Sequence, residues 1–226
     1  MDDLENAGAT GLREGSVYET IREDIVEGRL PPNARLKVSE LSRRLGTSTN
    51  PVREALHQLR GEGFVVISPN RGARVRPMDE DFVRDIIEIE MLVEPYLTRS
   101  YVDTATEADT ADLAAIQREI DANNFADLAL HAELDTRFHR RMYDRHYNRH
   151  AVTLWWNHRE ILAAIGRRFT VSLSRRVAIL QEHHELLAHI RARDAEAAAG
   201  AIARHVEGAG RHVIEQLRAH RRSGSR

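Results

Sequence analysis

Twelve histidines and no cysteine leave imidazole and carboxylate as the metal ligands this 226-residue chain can offer. Asp135 and His139 are four apart and so share one face of a helix, the spacing by which a helix presents two ligands to one ion. His183 and His205 each stand about ten residues from a connection near Asp194, so two antiparallel helices joined there would bring their rings level. Asp135, His139, His183 and His205 are then expected to converge in a helical interior. Such a set suits Zn²⁺, Ni²⁺ or Mn²⁺ with one or two positions open, because neutral imidazole is a borderline ligand and no soft sulfur is available. On spacing alone there are competitors: His131 shares the face of Asp135, and His184 adjoins His183. The four residues could also form a hydrogen-bonded polar core without metal.

Other chemistries find less support. His184-Glu185-Leu186-Leu187-Ala188-His189 nearly spells the zinc-protease motif, but that motif needs histidines four apart, and position 188 is Ala. A separation of five turns the second ring about 140° from the first, so it cannot reach the same ion. No nucleophile elbow, phosphate-binding glycine loop or dinucleotide glycine pattern is present. His146, His150, His158, His189, His212 and His220 are expected to be solvated or partly packed.

The elements that must position these ligands are helical. From Asp79 onward the apolar periodicity predicts six helices, over about 79–103, 107–123, 126–145, 149–170, 172–193 and 194–220. The first must accommodate Pro95, and Thr106 caps the second. Short connections imply antiparallel neighbours and hence a bundle. No N-terminal apolar run and no stretch of about 20 apolar residues occurs. The chain is expected to be cytoplasmic, with no membrane partner.

The segment before the bundle has a different character. Leu41 and Leu45 share one face of a short helix for which Ser39 is the expected N-cap, and Gly46 can end it in the left-handed conformation. Thr47 to Asn50 fill a tight turn, and a second helix runs to about Glu62 with Pro51 in its first turn. Val52, Leu56 and Leu59 face inward, leaving Thr49, Asn50, Arg53 and His57 for a partner. Two β-rich runs, 64–67 and 73–76, then flank Ser68-Pro69-Asn70-Arg71-Gly72 as a hairpin. Helix, tight turn, helix and wing is the order that places the second helix in a DNA major groove. Between Leu30 and Met78 nine Arg and Lys stand against three Glu, in a chain of net charge −2, so the positive charge is concentrated where phosphate would be met.

On these words the N-terminal part resembles the DNA-binding domain of the GntR family of bacterial transcription regulators: Ile25-Val26-Glu27-Gly28-Arg29-Leu30-Pro31-Pro32, Ser39-Glu40-Leu41, Leu45-Gly46, Pro51-Val52-Arg53-Glu54-Ala55-Leu56, Leu59, Glu62-Gly63 and Arg71-Gly72. The resemblance implies a DNA contact at Arg53 and a wing tip at Arg71 and Gly72 near the minor groove. Arg43, Ser48, Thr49 and Asn50 complete the expected DNA-facing set. Where the family usually has Ser-Arg-Thr, this chain has Ser48-Thr49-Asn50, so the common arginine is Thr49, and Asn50 can pair with an adenine instead. Pro32-Asn33 replaces the usual Pro-Gly.

The second part resembles the all-helical FCD effector domain of the FadR subgroup. It shares Asp135-Thr136-Arg137-Phe138-His139, Glu182-His183 and His205 twenty-two residues later, with Asn148 and the Ile190, Asp194, Ala197 framing. That resemblance implies Asp135, His139, His183 and His205 as metal ligands. One departure is Glu90, which stands where the family usually carries Arg, four residues before a retained Glu94.

The expected fold class is therefore mainly α: a winged helix-turn-helix over 13–78 and an all-helical bundle of about six helices over 79–220, with flexible tails at 1–12 and 221–226. The expected function is a non-enzymatic transcription regulator that binds an inverted-repeat DNA operator as a homodimer. A small carboxylate effector, bound at a divalent metal ion in the bundle, would control it. Weighed beside it are a metal-dependent hydrolase fused to a DNA-binding module, and a dimeric DNA-binding protein whose bundle is purely structural.

Overall fold

In the computed structural model, which describes residues 16–69 and 71–223, the first helix is α1 (Val17–Val26). Ser16 and Glu19 start it with a capping box, each side chain bonding the other's backbone N–H. Ile21, Ile25 and Val26 are buried along one face of α1. After β1 (Arg35–Leu36) come α2 (Val38–Arg44) and α3 (Thr49–Gly61). The N-cap of α2 is Lys37, two residues before the expected Ser39; Ser39 lies inside the helix, and the Ser42 hydroxyl bonds its carbonyl. Gly46 has φ +62°, as a sharp exit from α2 requires.

Strands β2 (Val65–Ser68) and β3 (Gly72–Val75) form the antiparallel wing, and β1 adds to the far edge of β3, giving the order β1-β3-β2. Val52, Ala55, Leu56 and Leu59 of α3 are buried, with Phe64, Val65 and Val75 in the same core. Asp24, also buried, receives Arg29 Nε at 2.5 Å and the guanidinium of Arg44, tying α1 to α2.

The chain divides into two compact units between Pro77 and Met78. The second consists of α4 (Glu80–Thr104), α5 (Glu107–Asn123), α6 (Leu128–Tyr143), α7 (Arg149–Gly166), α8 (Leu173–Arg191) and α9 (Ala195–Ser223). α4 runs through Pro95 without termination. α5 has the expected bounds because Thr106 and Asp109 make a reciprocal capping box and Asn124, at φ 40°, ends it. α6 starts two residues later than expected, because the Asp127 carboxylate caps the Ala129 and Leu130 N–H groups. α7 stops at Gly166 rather than near Thr170. Arg221 and Arg222, expected in a tail, continue α9. The tail at 1–12 and Asn70 of the wing lie outside the described residues.

α9 packs against α4 and α8, α5 against α6 and α8, and α4 also against α6 and α7. The α4–α9 approach is close: a Cβ on Gly210 would sit 2.7 and 3.0 Å from Ile87 Cδ1 and Cγ2, and closer still to Cγ1. Among the described residues no helix is long and apolar enough to cross a membrane.

Candidate metal centre and nucleic-acid interface

Side chains from α6, α8 and α9 meet in the interior of the bundle. His139, His183 and His205 are buried, and one ring nitrogen from each lies within 4.8 Å of the others. The Phe138 ring stacks on His183, with centroids 4.5 Å apart, and fixes its plane.

The hydrogen bonds determine which nitrogen each ring turns inward. Gln117 Nε2 donates to Asp121 Oδ1 at 2.8 Å, so the amide oxygen is left to accept from His183 Nδ1 at 3.0 Å. His183 Nδ1 therefore carries the proton and Nε2 the lone pair. His205 Nδ1 likewise donates to Glu182 Oε2 at 2.8 Å, and Glu182 is held by Arg175 at 2.7 Å. Arg175 also reaches the His205 carbonyl, passing where a Cβ on Gly208 would collide with it at 2.6 Å. Carboxylate or amide on the outer nitrogen and a bare inner nitrogen is the usual support of a metal-ligating imidazole.

His183 Nε2 and both ring nitrogens of His139 are buried without a hydrogen-bond partner among the described residues. Burial, followed by the nearby His205, pushes the His183 imidazole well below its ordinary pKa; burial and Arg159 lower that of His139. Neutral rings with lone pairs directed at one space fit a divalent cation.

Asp135 Oδ1 stands 3.5 Å from His183 Nε2, and its Oδ2 is paired with Arg159 of α7. Burial alone would raise the Asp135 carboxyl, but Arg159 and the imidazoles hold it well below the carboxylate range. Asp135 thus borders the trio through His183 while anchored to a cation. The two competitors are elsewhere: His131 stacks on Phe125, and His184 is exposed beside Asp121 at 3.1 Å.

Residues that the sequence reading did not place complete the wall. Glu94 accepts from Tyr143 at 3.0 Å and stands 3.6 Å from His139 Nδ1. Burial pushes the Glu94 carboxyl up, and His139 beside it outweighs this, leaving it lowered. Glu90, 2 % exposed, meets His158 Nδ1 at 2.6 Å, and burial raises its carboxyl despite that bond. His158 is thus the partner of a buried acid. Gln117 carried a legible signal, as a polar residue in register with the apolar positions Leu113 and Ile120 of α5.

In the first unit, Arg43, Ser48, Thr49, Asn50, Arg53 and His57 are exposed, as are Arg71 and Gly72 at the wing. Among the described residues no ion pair engages Arg43, Arg53 or Arg71. Asn33, Arg35, Arg71 and Arg74 line a concavity of about 580 Å³ on the wing. Arg35 and Arg74 are direct cross-strand partners, a like-charge pairing that destabilises a sheet unless an anion relieves it. Both belong to the basic balance of this segment, but nothing in the sequence singles them out, because β1 is only two residues long.

Residues 13–75 match the family model described as bacterial regulatory proteins, gntR family, and residues 85–208 match that of the FCD domain. The chain belongs to the GntR family, with an FCD domain as its second unit. The transcriptional repressor RspR of Escherichia coli (strain K12) is 26% identical over 214 residues, covering 92% of this chain and 90% of RspR. Among solved structures, E. coli McbR/YncC superposes with a TM-score of 0.68 at 20% identity, over 88% of this chain and 96% of that one. The metal-free FCD domain of the regulator TM0439 superposes with a TM-score of 0.51 at 24% identity, over 63% of this chain and 98% of that one. The protein is a transcription regulator with a DNA-binding helix-turn-helix unit and an effector-binding domain, not an enzyme.

Proposed function

We propose that this regulator senses a small carboxylate metabolite at a divalent metal ion held by His139, His183 and His205, with Asp135 beside them. The observation that carries the reading is the three-imidazole cluster, whose ligand atoms lie within 4.8 Å of one another while Gln117 and Glu182 secure the outer nitrogens of two rings. A bound ion would supply positive charge and open coordination positions for a carboxylate; Zn²⁺, Ni²⁺ and Mn²⁺ all suit the donors. Arg159, with its Nε unpaired and buried, adds a second anion-attracting group at the same wall.

Operator binding is assigned to Arg43, Ser48, Thr49, Asn50, Arg53, Arg71 and Gly72, with Arg53 reading the major groove from α3 and the wing lying near the minor groove. A homodimer on an inverted repeat follows if each half-site receives one recognition helix. What supports a second copy is an apolar stretch on the bundle: Ile89 and Leu92 of α4 are 41% and 75% exposed, and Tyr147, bonded to Tyr96 one turn further on, is 78% exposed. The effector changes DNA affinity only if it favours one arrangement of the dimer over the other.

The test is a titration of small carboxylic acids into purified protein with and without chelator, following melting temperature and metal content on the same samples. Stabilisation by an acid that disappears on chelation supports the reading. A metal-free protein indifferent to every acid would leave a DNA-binding protein with a purely structural bundle.

A further inference from the structure

The interior wall beside the three histidines carries two carboxylates that the metal reading does not use. Glu90 and Glu94 lie four apart on one face of α4, and both are buried. Glu94 is placed against the trio by its 3.0 Å bond from Tyr143 and its 3.6 Å approach to His139. Glu90 is fixed on one side only: Oε1 meets His158 at 2.6 Å, while Oε2 is buried with no hydrogen-bond partner among the described residues. Trp155 and Arg159 lie four apart on one face of α7, with Trp155 edge-on to Tyr143 and the Arg159 guanidinium 5.9 Å over the Trp155 ring, and each has a buried, unpartnered nitrogen, Nε1 and Nε respectively. One wall thus holds an unused acceptor and two unused donors. Buried polar groups of this kind are costly unless something supplies the missing bonds.

Charge decides what that something is. Asp135 and Arg159 cancel each other as a pair. Glu90 has no Arg or Lys partner among the described residues, and the atom it leaves unbonded is an acceptor. A simple carboxylate would meet the ion and Arg159 but leave Glu90 Oε2 without a donor. A molecule bearing an ammonium as well as a carboxylate adds no net charge, and its N–H groups fit Glu90 Oε2.

Resting on the metal-site reading above, we propose that the effector is a zwitterion, a small amino acid or amino-acid-like metabolite. Its carboxylate is drawn to the ion and Arg159, and its ammonium donates to Glu90 Oε2. Glu90 is the specificity-determining residue, excluding the deaminated acid of the same length.

The test uses the full-length, metal-loaded protein and matched pairs read by titration calorimetry: glycine against acetate, alanine against propionate, aspartate against succinate, glutamate against glutarate. At least one amino acid should bind about tenfold or more tightly than its deaminated partner, the scale of a charge-assisted hydrogen bond. Glu90→Gln, nearly isosteric, should bring that ratio close to one, with metal content measured on the same sample to verify that the site is intact. Tighter binding of the deaminated acids, no binding by any amino acid in the panel, or an unchanged ratio in Glu90→Gln overturns the proposal. If simple acids bind in a chelator-sensitive way, the metal reading stands and only this inference falls. If chelation alters nothing, the metal reading itself has failed.

Discussion

Replacing Gln117 by Leu keeps a buried side chain of similar size and removes the acceptor that fixes His183. With Oε1 gone, His183 Nδ1–H loses its 3.0 Å partner, and the ring is free to carry its proton on Nε2, the nitrogen turned toward His139 and His205. An ion must then restore the first tautomer at its own expense. Loss of such a supporting bond weakens metal binding about 10- to 100-fold, equivalent to ~1.4–2.8 kcal/mol. At a free-ion concentration a hundred times the wild-type Kd, the ion stabilises the wild-type fold by about 2.7 kcal/mol; the variant retains only ~1.4 to ~0.4 kcal/mol of this. The assay is melting temperature against free Zn²⁺ set by a competing chelator. The free-ion concentration at which the rise begins reports affinity even if the metal-free variant has gained or lost stability. His184→Ala serves as a control, because His184 is exposed and touches only the Asp121 end of the same chain of bonds. An unchanged onset in Gln117→Leu would show that the amide does not support a ligand, and a shift equal to that of His184→Ala would point to a general effect of the α5 surface.

Three further outcomes are expected. Removing both Arg35 and Arg74 from the wing concavity should lower the slope of log affinity against log salt by about one for each phosphate no longer neutralised, on duplex of any sequence; an unchanged slope would place the DNA backbone elsewhere. Gly210→Ala should drive a methyl into Ile87 and destabilise the second unit by roughly 1–3 kcal/mol, read by chemical denaturation, whereas a neutral or stabilising change would mean that α4 and α9 are not so closely packed. Asp109, the partner of Thr106 at the start of α5, has its carboxyl held below the ordinary range by the Thr106 N–H and hydroxyl and by Arg141. Its stabilising contribution is therefore present above the ordinary carboxylate pKa and is lost as pH falls through the lowered folded value. Asp109→Asn should flatten the decline of melting temperature in acid, and parallel declines for the two proteins would count against that role.

How much of this could be read beforehand depended on whether the information was local. The helix-turn-helix, the wing and α5 were legible because Gly46, the Pro69 to Gly72 loop and the Thr106–Asp109 box act within a few residues of themselves. His183 and His205 were legible because one short connection makes α8 and α9 antiparallel. The N-cap of α2, the start of α6 and the end of α7 were misjudged by a few residues, where alternative caps compete and the backbone geometry decides. Arg221 and Arg222 read as a tail because no apolar partner follows them, although Arg218 and Arg221 bond Glu80 across to α4 and support helix there. The Glu90–His158 pair was not legible at all: it depends on α4 lying against α7, which periodicity within either helix does not specify. The same holds for Asp24 with Arg29 and Arg44, and for the alignment of Arg35 with Arg74 on a two-residue strand.

The central claim, a metal-dependent sensor joined to a DNA reader, is tested most directly by elemental analysis of three proteins purified in parallel, with binding to a DNA duplex selected by the wild type measured on each. Wild type should carry about one divalent ion per chain and bind the duplex, because one trio of imidazoles makes one site. His183→Ala combined with His205→Ala should lose the ion and keep the DNA, and Arg53→Ala should keep the ion and lose affinity by about 1–3 kcal/mol. Equal metal in the double-histidine variant, or none in the wild type after reconstitution, would contradict the claim.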